Sequence, residues 1–156
     1  MAHHNELGKL GEKLASDYLL KNGYEVLAQN FYFDKAEIDI IAKKDANTLV
    51  IVEVKTRNSD FFGDPQEFVT PLKIKLLVKA ANEYVISNDL DMEVRFDIIA
   101  VIKNKTIEKI EHFENAFYQA YTKKLLDNEK PAIIHHEEDG VTHIEVNPKD
   151  ILSNIE

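Results

Sequence analysis

Glu37-Ile38-Asp39-Ile40-Ile41-Ala42, a turn at Asp45-Ala46-Asn47, then Val50-Ile51-Val52-Glu53-Val54-Lys55-Thr56-Arg57: on this stretch the reading of the chain depends. The turn residues join two apolar segments, so they are expected to pair as a hairpin. Side chains alternate faces along a strand. Glu53 and Lys55 therefore emerge on one face, at the end of an apolar run. Asp39 lies on the partner strand and reaches that face if the register allows. Two carboxylates and a lysine converging on one sheet face need a reason, because unpaired buried charge is strongly unfavourable.

A divalent cation supplies that reason. Mg²⁺ takes oxygen ligands at about 2.0–2.1 Å, usually one or two carboxylates with waters and phosphate oxygens. Such an ion activates water, orients a phosphate and neutralises charge in the transition state. Lys55 is suited to orient or deprotonate the attacking water, or to stabilise charge on the phosphate. Glu12, entering from the first helix, is placed to complete or tune the metal shell. A plain structural reading competes: Glu-Val-Lys occurs on many solvated strands as a cross-strand ion pair. The conjunction of Asp39 in an apolar strand, a short turn and Glu53-Val-Lys55-Thr-Arg57 is more specific. Glu12 alone reads as a surface helix residue.

Working outward, a first helix is expected from Asn5, an N-cap type, to Gly23, a C′ type. Leu7, Leu10, Leu14 and Tyr18 repeat at helical spacing and are expected to face the core. Gly8, Gly11 and Ala15 flank that stripe and permit close approach of a neighbour. Strands are expected at Tyr24–Phe31, Ala36–Lys43 and Thr48–Thr56, followed by a loop over Arg57–Val69. Thr70-Pro71 gives a cap followed by proline at N1, starting a second helix. Its apolar face is read as Leu72, Leu76, Leu77, Ala80, Tyr84 and Val85. Two more strands, Glu93–Ile102 and Thr106–Phe113, precede a helix over Glu114–Leu126. Asp127–Lys130 reads as a linker. Ala132–His136 and Val141–Val146 flank Asp139-Gly140, a type I′ hairpin signal. Phe96-Asp97-Ile-Ile-Ala100 echoes Ile38-Asp39-Ile-Ile-Ala42, too briefly to establish duplication. Asp97 is read as a structural acid, satisfied by Arg95 or backbone donors.

The 156 residues suit one domain with an appendage: a unit over 5–118 and an extension over 119–156. The chain has no cysteine, which excludes disulfides and cysteine-ligated metals. Neither an apolar leader nor a run long enough to span a membrane is present, so a cytoplasmic protein is expected. The net charge of −9 counts against a simple nucleic-acid binder, so any cationic surface must be local.

The sequence resembles the YraN family of small bacterial proteins, which are similar to archaeal Holliday junction resolvases and to the PD-(D/E)XK nuclease superfamily. The resemblance spans about residues 5–118. It rests on Gly8-x-x-Gly11-Glu12, Gly23-Tyr24, Glu37-Ile-Asp39-Ile-Ile-Ala and Val52-Glu53-Val-Lys55-Thr-Arg57. It continues through Phe62-Gly63, Val69-Thr-Pro71-x-Lys73, Arg95-Phe-Asp97-Ile-Ile-Ala and Ile110-Glu-His112. It implies an α/β, restriction-endonuclease-like fold, a central mixed sheet flanked by helices. It also implies metal ligation by Asp39 and Glu53, a catalytic Lys55, and Glu12 as the first-helix acid. Glu37, Thr56 and Arg57 match family positions without an assigned role. Ala36 stands where the family usually has Gly.

The activity implied is Mg²⁺- or Mn²⁺-dependent endonucleolytic hydrolysis of DNA, including branched DNA, with a homodimer expected because resolvases work as dimers. Arg57, Lys73, Lys75 and Lys79 are candidates for gripping phosphates. An ordinary solvated helix face accounts for the same lysines. Phe61, Phe62 and Phe68 suit base stacking or loop anchoring equally. His135, His136 and His143 are weak metal candidates, and His3-His4 reads as a disordered terminus. Two rival functions remain open: a nucleic-acid-binding module without cleavage, and a structural protein that docks a partner through its C-terminal hairpin.

Overall fold

The computed structural model describes residues 2–59, 69–116, 133–138 and 141–146. Its centre is Leu49-Val50-Ile51-Val52, each no more than 1 % exposed. An unbroken apolar run suits a strand covered on both faces, where alternation with polar residues would bury charge. This run belongs to β3 (Thr48–Arg57). Before it come α1 (Ala2–Lys21), β1 (Glu25–Phe33) and β2 (Ala36–Asp45). After it come α2 (Pro71–Ser87), β4 (Glu93–Lys103) and β5 (Glu108–Phe113). The five strands form one sheet in the order β1-β2-β3-β4-β5. β3 and β4 run parallel, connected through α2, and the other neighbours are antiparallel. The expected mixed sheet and β2–β3 hairpin are therefore present.

The two sheet faces carry separate cores. Ile51 and Ile98 pack with Ile74, Leu77, Ala80 and Ala81 of α2. Val50, Val52, Ile99 and Val101 pack with Ala15 and Leu19 of α1. The face of α1 is the expected one only in part: Leu14 and Tyr18 pack against the core. Leu10 is 38 % exposed, while Ala15, Ser16 and Leu19 are buried. The small residues lie against the sheet because they bring the backbones close. A Cβ on Gly11 would lie 1.8 Å from Thr56 Oγ1, whereas one on Gly8 would meet nothing within 4 Å. On α2, Leu72 is exposed and Ile74 takes the buried place, because the buried stripe follows 74-77-81.

Local signals set the helix ends. Gly23 has φ +83, and Tyr24 and Gly23 donate to the carbonyls of Leu19 and Leu20. This is the Schellman pattern that closes a helix. Asn5 is not the N-cap, since α1 already begins at Ala2. Thr70 caps α2 as expected: its side chain accepts from the Lys73 N–H, with Pro71 following. Ala36 opens β2 outside the left-handed region, so the missing glycine leaves no strain there.

β6 (Ile133–Glu138) and β7 (Val141–Val146) pair antiparallel, with His136 opposite His143. The Asp139-Gly140 turn, the loop phenylalanines at 61, 62 and 68, the linker and most of the helix expected over Glu114–Leu126 lie outside the described residues. Among the described residues, no helix is long and apolar enough to cross a membrane.

The contrast between two glycines of one helix is testable by urea denaturation. Gly11→Ala is expected to destabilise by about 1–3 kcal/mol, because overpacking forces α1 off β3. Gly8→Ala is expected to be neutral or stabilising by up to about 1 kcal/mol, through helix propensity. Equal destabilisation by both would contradict the close approach.

Candidate functional site

β2 and β3 pair from the hairpin turn up to Ile40 opposite Val52, and there the pairing ends. β2 continues on β1 as far as Ala36 opposite Phe33. β3 continues on β4 as far as Arg57 opposite Ile102. A gap opens between the two central strands. The Val54 N–H donates across it to Asp39 Oδ2 at 2.8 Å, so a side chain takes over where the backbone ladder stops. Asp39 also sits where β2 turns over. Ile38 packs with the α2-side core and Ile40 with the α1-side core. Residues two apart ordinarily share a face.

Carboxylates crowd this gap. One oxygen each of Glu12, Glu37 and Asp39 lie within 4.8 Å of one another. Burial and then the neighbouring Glu53 push the Asp39 carboxyl up to about 7, against the Val54 N–H that favours its charge. Glu12 and Glu37 add to the upward push. The Glu12 carboxyl is also raised, first by burial and then by Glu37 and Glu53.

Glu53 is 5 % exposed and is met by cations. Lys73 of α2 donates to its Oε1, and Lys55 Nζ lies 3.5 Å from the same oxygen. Burial lowers the Lys55 ammonium, with Lys73 adding to the effect and Glu53 opposing it. Burial works against the charge on Lys73 too, but Glu53 holds its pKa above the ordinary value. The Thr70 cap and Pro71 place Lys73 in the first turn of α2. A helix macrodipole disfavours a cation there. The pairing with Glu53 offsets that. A cavity of about 340 Å³ covers the gap, with Glu37, Asp39, Glu53, Lys35 and Lys73 in its wall.

Asp39, Glu53, Lys55 and Glu12 are thus all placed around the gap. Glu53 stands apart from the three-acid group, and Glu37 joins it. Glu37, which the sequence left without a role, lies two residues before Asp39 on β2, and that spacing was the available signal. Lys73 meets Glu53, and its place in a first helical turn was the available signal. Arg57 is exposed and its guanidinium donates to the Thr56 carbonyl at 3.2 Å. Lys75 and Lys79 are not among the residues lining the cavity.

Asp97, fully buried, sits on the α1 side of β4 in a different setting. It accepts from Arg95 Nε at 2.9 Å and Nη2 at 2.7 Å, and from the Asn115 N–H at 3.0 Å. His112 Nε2 lies 2.7 Å from it, and Tyr18 meets the other ring nitrogen at 3.2 Å. Burial pushes this carboxyl up, but the bonds from His112, Arg95 and Asn115 prevail and hold it below the usual range. This is the structural arrangement expected for Asp97.

A family sequence model described as "Uncharacterised protein family UPF0102" matches residues 11–101. A UPF0102 protein of Flavobacterium psychrophilum is 67 % identical over 118 residues, which cover 76 % of this chain and 98 % of that protein. One from Thermodesulfovibrio yellowstonii is 51 % identical, over 72 % of this chain and 96 % of its own length. One from Phocaeicola vulgatus is 43 % identical, over 76 % and 97 %.

The raised Asp39 pKa fixes a sign. Between the unfolded value near 3.8 and the folded value of about 7, the folded chain binds more protons than the unfolded one. Stability is therefore expected to fall as pH rises across that window, and then to level off. Thermal unfolding in chelator from pH 4.5 to 8 checks this. Asp39→Asn should flatten the fall and leave the protein more stable at pH 8 by about 1–3 kcal/mol, given partial solvent screening. A profile unchanged by Asp39→Asn would contradict the assignment.

Proposed function

We propose a function for a chain that belongs to the uncharacterised protein family UPF0102: divalent-metal-dependent endonucleolytic hydrolysis of DNA phosphodiester bonds. The carrying observation is the cluster of Glu12, Glu37 and Asp39 at a gap between two strands, with Glu53 close enough to help push Asp39 up to about 7. Acids held this close repel one another, and a hard cation relieves the repulsion with the oxygen ligands it prefers. The donor set thus fits Mg²⁺ or Mn²⁺. The resemblance to PD-(D/E)XK nucleases supports the same reading. A five-stranded mixed sheet with helices on both faces agrees with a restriction-endonuclease-like fold. Branched DNA as substrate, a homodimer and a cytoplasmic location belong to the proposal through the likeness to resolvases.

Asp39 and Glu53 would hold the ion, with Glu12 and Glu37 completing or tuning its shell. When bound, the ion acts as a Lewis acid on the phosphate and lowers the pKa of water. Lys55 stands beside Glu53 with its pKa lowered by burial, and would act on the attacking water. It orients that water, takes its proton, and as an ammonium offsets charge on the phosphate oxygens. Lys73, at the cavity edge, keeps Glu53 in place and offers a positive charge to the incoming phosphate. With a net charge of −9, binding relies on such local cations rather than on the field of the whole chain.

Cleavage of junction, flap, single-stranded and duplex DNA with Mg²⁺ or Mn²⁺ tests the proposal. Wild type is expected to cut at least one of them, and chelator to stop it. Asp39→Ala, Glu53→Ala and Lys55→Ala should each lower the rate by about 10²–10⁴-fold. Lys73→Ala should act more on KM than on kcat. Binding without cleavage under either metal would favour a binding module, and neither binding nor cleavage would sink both readings.

A further inference from the structure

The cavity over the gap has two unlike walls. One carries the carboxylates. The other is apolar and comes from Leu72, Leu76 and Leu77 of α2, with Ala36 of β2 contributing. Leu72 is 63 % exposed at its edge, in the first turn of a well-capped helix. Nothing in the packing of α2 requires a leucine there, since Ile74 and Leu77 supply its buried stripe. A metal site and a phosphate grip need only oxygen ligands and cations. Leu76, Leu77 and Ala36 also belong to the core beneath, so Leu72 is the part of this wall that neither packing nor the hydrolytic chemistry explains.

We infer that this wall receives the base of an unpaired nucleotide next to the scissile phosphate, so that the substrate is DNA whose strands are already separated at the cut. The inference rests on the nuclease reading above and specifies its substrate class. Three observations carry it. The volume, about 340 Å³, is at the small end of ligand pockets, about 300–1,000 Å³, and suits one nucleotide rather than a duplex. Lys35 and Lys73 share the cavity with the leucines, so a phosphate and an apolar face can be met within one nucleotide. The chain carries a net charge of −9, so long-range attraction to a duplex is weak and contacts inside the cavity carry more of the recognition.

In a paired duplex the base faces are stacked on their neighbours and unavailable to a protein wall. A base that is already unpaired reaches such a wall with the least loss of stacking. Tyr32 adds an aromatic surface across the strand pair from Glu37, a residue of the cavity wall. The ring is 68 % exposed. An exposed ring next to a residue of the cavity wall offers a stacking face to the next base.

The test compares forked DNA with a fully paired duplex of the same sequence, and with forks carrying an abasic analogue at either nucleotide flanking the cut. Cleavage is measured with Mn²⁺, and binding by fluorescence anisotropy in its absence. The fork is expected to be favoured over duplex by about tenfold or more, and one abasic position to remove most of that preference. Leu72→Asn should keep the fold, the side chain being exposed, and should lose the difference between base and abasic forks. Cleavage that ignores both pairing and the abasic analogue would overturn this inference and leave the nuclease reading standing. Absence of cleavage and binding with every substrate would overturn both.

Discussion

The bond from the Val54 N–H to the Asp39 carboxylate is the constraint on which the site depends. Two antiparallel strands that part company leave backbone groups without partners, and an orphaned buried N–H is unfavourable. Asp39 satisfies one of them at 2.8 Å, and so allows β2 and β3 to separate after Ile40 and Val52. The separation admits Glu12 from one face of the sheet and Lys73 from the other. Glu53 and Lys55 lie on the strand that continues past the split. The acid that makes the opening tolerable is thus also the one the opening exposes to other acids. A central strand buried on both sides supplies the rigidity that keeps this crowd in place.

Asp39 and Asp97 show how little of this is decided by local sequence. Each begins the same tetrad, Asp-Ile-Ile-Ala, in an apolar strand of one sheet. Asp97 has Arg95 two residues before it on its own strand, and β5 brings His112 alongside. Four donor atoms converge on its carboxylate, and its charge is secure. Asp39 has Glu37 at the equivalent place and other acids around it, with the Val54 N–H as counterweight. One carboxylate is a structural anchor; the other is a group whose charge is left to be matched. That contrast, more than the number of acids, is why the gap reads as a place for a cation.

Much of the fold was legible because it rests on local signals. The Asp45-Ala-Asn47 turn, the Thr70-Pro71 cap and Gly23 each have one conformation that suits them, and each adopts it. The apolar runs of β3 and β4 were equally plain. The face of α1 is legible only in part: periodicity picks out Leu14 and Tyr18, which do pack against the core, but not the small Ala15 and Ser16 buried beside them. Gly11 against Thr56 is a matter of distance between backbones, which no pattern of apolar residues encodes. Leu72 was assigned to the core by periodicity and stands at the cavity rim instead. For the site, Asp39, Glu53 and Lys55 followed from alternation along two strands. The meeting of Lys73 with Glu53 did not, because the two stand twenty positions apart with a helix start between them. The place of Glu12 depends on the docking angle of α1, which sequence leaves open.

The most direct measurement of the central claim is X-ray diffraction at the manganese edge from crystals grown with Mn²⁺. The account requires an anomalous peak in the gap between β2 and β3, within ligand distance of an Asp39 carboxylate oxygen, that is lost in Asp39→Asn. Crystals at saturating Mn²⁺ with no peak there, Glu53 still paired with Lys73, would contradict it.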